Sequence, residues 1–125
     1  MKPRVGNYSM TMTPPGSGYS ATTPYYAGNG KGTLVTTVAD SIVRDANECL
    51  LNVVHVSHVS AATSTLEIYH GDGTLAWNIV GGSSSHASSE FTWPDGLLLT
   101  GAWYIEFANT PEATEMWSLG FKIDS

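Results

Sequence analysis

The chain has 125 residues and a mass of 13.3 kDa, room for one domain burying about two-thirds of its unfolded surface and too little for two cores. Hydrophobic residues are 42% and charged residues 13%, about half the usual charged share, which excludes a disordered acidic chain and a charge-rich helical one. No run approaches the ~18 apolar residues of a membrane span, the start Met1-Lys2-Pro3-Arg4-Val5-Gly6-Asn7 lacks the apolar centre of a secretory signal, and the lone Cys49 can neither bridge within the chain nor hold zinc by itself. The expectation is a protein made in a cytosol, with no membrane partner and no cysteine-built scaffold.

Residues 1–32 carry Lys2, Arg4 and Lys31 with no acid, a charge of +3, whereas the remainder sets two cations against eleven acids, leaving −9. The same 32 residues hold four of the six prolines, six of the thirteen glycines and four of the six tyrosines, but no Leu, Ile, Phe or Trp. Such a stretch is too poor in apolar residues to build a core, and its prolines and glycines favour extended and turn backbone. It is read as an extended Gly/Pro/Tyr-rich N-terminal arm, 1–32, ahead of a domain at 33–125. A purely solvating tail has no use for large amphipathic groups, so Tyr8, Met10, Met12, Tyr19, Tyr25 and Tyr26, with Lys2 and Arg4, are assigned to an interface with another subunit. Three cations neutralise few phosphates and the acidic body repels a nucleic-acid strand, so nucleic acid is not expected as a partner.

From Thr33 onward β-branched and alternating runs recur about every ten residues between Gly, Ser, Asp or Pro clusters, the pattern of an all-β sandwich. Strands are predicted at Thr33–Ala39, Cys49–Val59, Ser64–His70, Leu75–Val80, Glu90–Trp93, Leu97–Leu99, Trp103–Ala108 and Glu115–Ile123. In the last, Trp117, Leu119, Phe121 and Ile123 share one face; likewise Trp103, Ile105 and Phe107 alternate against Tyr104 and Glu106, and Leu66, Ile68 and His70 oppose Glu67 and Tyr69. Asp72-Gly73 marks a tight hairpin within 64–80, Pro94-Asp95-Gly96 a second turn, and Gly81–Ser89 a surface loop. Asp40–Asn47 forms either a short helix or a bent connection. The fold class expected is an antiparallel β-sandwich, jelly-roll-like, with the extended N-terminal arm.

Catalytic groups are sought next. His55 and His58, three apart on a strand, point to opposite faces and cannot converge on one metal without a bulge. His70 and His86 have no such neighbour in sequence. Cys49 reads as a small buried hydrophobe, the serines of the arm and of 83–89 lie outside any Gly-x-Ser-x-Gly elbow, and Asp72 and Asp95 suit turns. Glu106, Glu112 and Glu115 fit a solvated face as well as a glycosidase pair. No catalytic residue, metal site or cofactor is assigned, and the chain is not expected to be an enzyme. Of Trp77, Trp93, Trp103 and Trp117, most alternate with the core face; Trp93, just before Pro94, is the possible exposed aromatic.

Cys49-Leu50-Leu51, the hairpin Thr65 to Gly73, the block Phe91-Thr92-Trp93-Pro94-Asp95-Gly96-Leu97-Leu98-Leu99-Thr100-Gly101-Ala102-Trp103-Tyr104-Ile105 and the closing Met116 to Ile123 follow one another in residues 49–125, about three-fifths of the chain. In that pattern the chain resembles a group of small structural proteins of tailed bacteriophages. The resemblance implies a virion component, several of the group being decoration or cement proteins of the capsid shell, and brings no catalytic residues. On that footing the expected partners are a major capsid protein and copies of the chain itself, as a homotrimer, on the capsid surface after assembly in the host cytoplasm. The alternatives are a neck, tail or fibre-associated virion protein and a carbohydrate-binding β-sandwich.

Overall fold

Alternation in the sequence translates directly into strands. A computed structural model describes residues 7–12, 21–28, 34–44, 48–58, 65–80, 87–109 and 116–124. These comprise β1 (Asn7–Met12), β2 (Tyr26–Ala27), β3 (Leu34–Val35), one 3-10 turn (Val38–Asp40), β4 (Glu48–His58), β5 (Thr65–Tyr69), β6 (Leu75–Val80), β7 (Ala87–Thr100), β8 (Tyr104–Phe107) and β9 (Met116–Asp124). One sheet has the order β1-β9-β4-β7 and a second β6-β5-β8, all pairs antiparallel, with β2 and β3 in a short ribbon.

The backbone ahead of β2 extends the second sheet beyond β8. Thr22 N–H donates to the Phe107 carbonyl at 2.8 Å, and Tyr25 and Ile105 exchange backbone bonds of 2.9 Å. The sheets then read β1-β9-β4-β7 and β2-β8-β5-β6, while the connections β4 to β5, β6 to β7, β7 to β8 and β8 to β9 each cross between them. That is the strand order of a jelly roll. The expected all-β antiparallel sandwich is therefore the observed fold.

Between the sheets, Trp117, Leu119 and Phe121 of β9 and Cys49, Leu51, Val54 and Val56 of β4 face Leu66, Ile68, Ile105 and Phe107. Edge-on rings fill the middle: Trp103 meets Phe121 at 5.0 Å and Phe107 meets Trp117 at 6.1 Å. The buried positions of β4 change parity after Leu51 because Asn52 is an unmatched residue between the Leu51–Phe121 and Val53–Gly120 pairs, a β-bulge.

Several expectations are corrected. Pro94-Asp95-Gly96 does not separate two strands: β4 pairs with Leu97–Thr100 and with Ala87–Thr92, so 93–96 form a bulge inside one long β7. Residues 87–89, read as loop, belong to that strand, and 81–86, with His86, lie outside the described residues. Among the described residues of 33–39, extended pairing is confined to Leu34–Val35. Thr37 Oγ1 then donates to Asp40 Oδ2 at 2.7 Å across the 3-10 turn, a local bond that competes with a ladder. Ile42 to Arg44 continue as turn, while 45–47 are not described.

The core also draws on residues ahead of the expected boundary at 32. β1 is the edge strand of the four-stranded sheet, with Met10 fully buried opposite Leu119, and Tyr25 and Ala27 are buried too. A strand contributes a core face through alternate residues, so one methionine and one tyrosine in the right register suffice where leucines are missing.

Candidate interaction surfaces

Each arm residue can now be placed. Met10 and Tyr25 are taken up by their own chain's core, which corrects their assignment to an interface. Tyr8 stacks on Phe121 at 5.9 Å, packed against that core, and Tyr26 meets Tyr104 at 5.5 Å. Lys2, Arg4 and Tyr19 lie outside the described residues, as does the side chain of Met12, whose backbone pairs with Trp117.

The sites first weighed for chemistry have structural explanations. Cys49 is buried, and burial pushes its thiol up to about 11, with the Trp103 indole acting weakly in the other direction. A thiol so protonated is no nucleophile at neutral pH. His55 lies on the outer face of β4 between Ser118 and Glu90, and His58 Cα pairs with Ala87. His70 Nδ1 accepts from the Thr100 backbone N–H at 3.2 Å, tying the β5–β6 hairpin to the end of β7. At the hairpin tip Asp72 Oδ1 accepts from Thr74 N–H at 2.9 Å, and that bond holds its carboxyl below the usual range. Among the described residues no three His, Cys, Asp or Glu groups come together as a metal site.

Two surfaces stand out instead. The first is the rim where β6 of one sheet faces β7 of the other. Trp77 sits on the inward side of β6, opposite Ile68, yet β6 ends its sheet and Trp77 stays 49% exposed, while Leu75, 48% exposed, pairs with the outward Tyr69. Trp93, in the β7 bulge, is half-buried and meets Trp77 edge-on at 6.1 Å. Trp93 is thus part of an aromatic rim, but its more exposed member is Trp77, which alternation had assigned to the core. Position at a sheet edge decides this, and no periodicity within a single strand reports it.

The second surface is the outer face of β5 and β8. Residues 65, 67 and 69 point out opposite Leu66 and Ile68, so Tyr69 stacks on Tyr104 at 5.1 Å and 14°, and Tyr26 adds a third ring. Beside them Glu67 and Glu106 are directly paired across the ladder, and Tyr69 Oη donates to Glu67 Oε1 at 3.2 Å. Partial burial, then the opposing Glu67 charge, raises the Glu106 carboxyl. The alternation was legible in sequence, whereas the pairing of β5 with β8 that joins the two glutamates and the tyrosines was not.

The fold is thus an antiparallel jelly-roll sandwich with an aromatic rim and a tyrosine–glutamate face. No protein-family model matches the chain, and no curated protein matches it. Among solved structures it is similar to a chain of the structure of infectious bursal disease virus Gx strain, at 11% identity and a TM-score of 0.35. The match covers 98% of this chain but about a third of the other, 32%. A likeness at that score fixes neither fold nor role, and the jelly-roll assignment rests on strand order.

Proposed function

We propose that this chain is a virion structural protein of the tailed-bacteriophage kind, a decoration or cement protein that stabilises the head shell as a homotrimer on the capsid surface. Its partners are the major capsid protein and its own copies, and no catalytic activity, cofactor, nucleic acid or membrane enters the proposal. The observation that carries it is the pair of separate contact surfaces on one small sandwich. The Trp77–Trp93 rim exposes large aromatic groups of the kind that mark protein interfaces, and the tyrosine–glutamate face is a second, chemically different surface. A protein that cements a shell must hold two neighbours at once, and two unlike surfaces supply that.

The test is the copy number of the chain in purified virions, measured by quantitative mass spectrometry against the major capsid protein. Hundreds of copies in fixed ratio to the shell protein, as shell symmetry demands, are expected. About a dozen copies would move the protein to the neck, tail or fibre, and none would overturn the virion reading.

One observation favours a second reading. The perpendicular Trp77–Trp93 pair presents an open aromatic corner, the kind of surface on which a carbohydrate-binding sandwich seats a sugar ring. Absence of binding across a broad glycan array, with tryptophan emission unmoved, would remove it.

A further inference from the structure

The outer face of β5 and β8 combines two features that call for the same kind of occupant. Three tyrosine rings lie in contact, Tyr69–Tyr104 at 5.1 Å and Tyr26–Tyr104 at 5.5 Å, and their faces attract a cation brought within about 6 Å. Two carboxylates, Glu67 and Glu106, face each other across the ladder, an arrangement that like charges disfavour until a cation settles on it.

The chain itself contains a segment of complementary chemistry. Lys2 and Arg4 place two of its five cations within four residues, ahead of β1 and with no acid before Asp40. Of the other three, Arg44 donates to the Ala39 carbonyl at 3.1 Å, Lys122 stands on the opposite sheet in β9, and Lys31 is in the β2–β3 connection. The six residues before Asn7 leave from β1, at the edge of the sheet that does not carry the tyrosine face, and extend about 20 Å at most.

We propose that the tyrosine–glutamate face docks the basic N-terminal segment, Lys2 to Arg4, of a second copy of this chain. The proposal rests on the shell-protein reading above, in which copies must grip one another, and it names the surface and the segment that do so. Such a contact is head-to-tail, two different patches meeting, and a head-to-tail contact closes into a ring such as a trimer when its rotation permits.

Sedimentation of the purified full chain, with no capsid present, tests this. One variant, Lys2→Glu with Arg4→Glu, leaves every described residue unchanged. A second, Glu67→Lys with Glu106→Lys, reverses charge on the outer face, with Glu106→Gln and a thermal melt as controls for folding. The wild type should self-associate, more weakly as salt rises, and each charge reversal should weaken association about tenfold or more. Mixing the two reversed variants should restore pairwise association, because the acidic segment of one then meets the basic face of the other, although an odd ring such as a trimer cannot alternate them throughout. A monomeric wild type, association indifferent to Lys2 and Arg4, or a mixture that stays apart would each overturn the proposal. A mixture that stays apart while the N-terminal variant alone melts lower would place the segment on its own chain. Because no virion is involved, failure here is separate from failure of the copy-number test.

Discussion

Gly96 shows how one residue fixes the bulge that carries Trp93. Its φ is +83°, in the left-handed region, and an added Cβ would stand 2.8 Å from Leu50 Cβ and 3.1 Å from Leu50 Cδ2. Alanine there meets both a backbone penalty and a clash. Gly73 isolates the first: its φ is +92°, but the nearest atom to an added Cβ is Tyr104 Oη at 3.8 Å. Gly73→Ala should therefore cost about 1 kcal/mol, the usual price of a left-handed alanine, and Gly96→Ala about 2–3 kcal/mol, read as shifts in the urea midpoint at constant slope. Adding Leu50→Ala to Gly96→Ala should recover only the part of the excess due to Leu50 Cγ and Cδ2, since the closest atom, Cβ at 2.8 Å, remains in alanine. Equal losses at the two glycines would show that Leu50 moves aside freely.

Between β5 and β8 the same reasoning applies to charge. Glu106 titrates above the ordinary glutamate range in the folded protein, so the native state holds a proton that the unfolded chain has already released. The stability associated with that proton is fully present below the unfolded value, about 4.3, and is lost as pH rises through the higher folded one. Glu106→Gln, which carries no charge at any pH, should thus stabilise the protein at pH 7 by about 0.5 kcal/mol, the scale of a like-charge cross-strand pair, and the gain should vanish near pH 3. Thermal melts from pH 3 to 8 on both proteins check this, and a gain that persists at pH 3 would assign it to packing. This pair also shows where sequence reading stops. Alternation placed Glu67, Tyr69, Tyr104 and Glu106 on outward faces and Trp117, Leu119 and Phe121 on an inward one, because the period of a strand is local. Which strands become neighbours depends on long-range pairing, so the tyrosine–glutamate face and the exposure of Trp77 at the sheet edge had no local signal. The bulge at Trp93–Gly96 misled for a related reason: Pro-Asp-Gly is turn chemistry, and only the continuous partner β4 turns it into an excursion within one strand.

At the scale of the molecule, the N-terminal residues include a strand of the sandwich and a segment proposed for contact, and a single deletion would confuse the two. Residues 7–12 are part of the sandwich: β1 covers the edge of β9, Met10 is fully buried, and Tyr8 lies on Phe121. Residues 1–6 precede the strand and include both cations proposed to reach a neighbouring copy. Removal of 1–12 should therefore destabilise the fold by about 3 kcal/mol or more, since burial of Met10 alone is of that size and the β9 edge is left open as well. On the proposal that 1–6 reach a neighbouring copy, their removal should change stability by less than about 0.5 kcal/mol. Calorimetric melts of the two truncations separate these cases. The consequence for function is direct, because a shell-binding defect in the longer deletion would report lost folding, whereas the same defect in a stable chain lacking only 1–6 would report a lost contact. If the shorter deletion melts as low as the longer one, residues 1–6 are structural, and the division of labour between β1 and the segment before it does not hold.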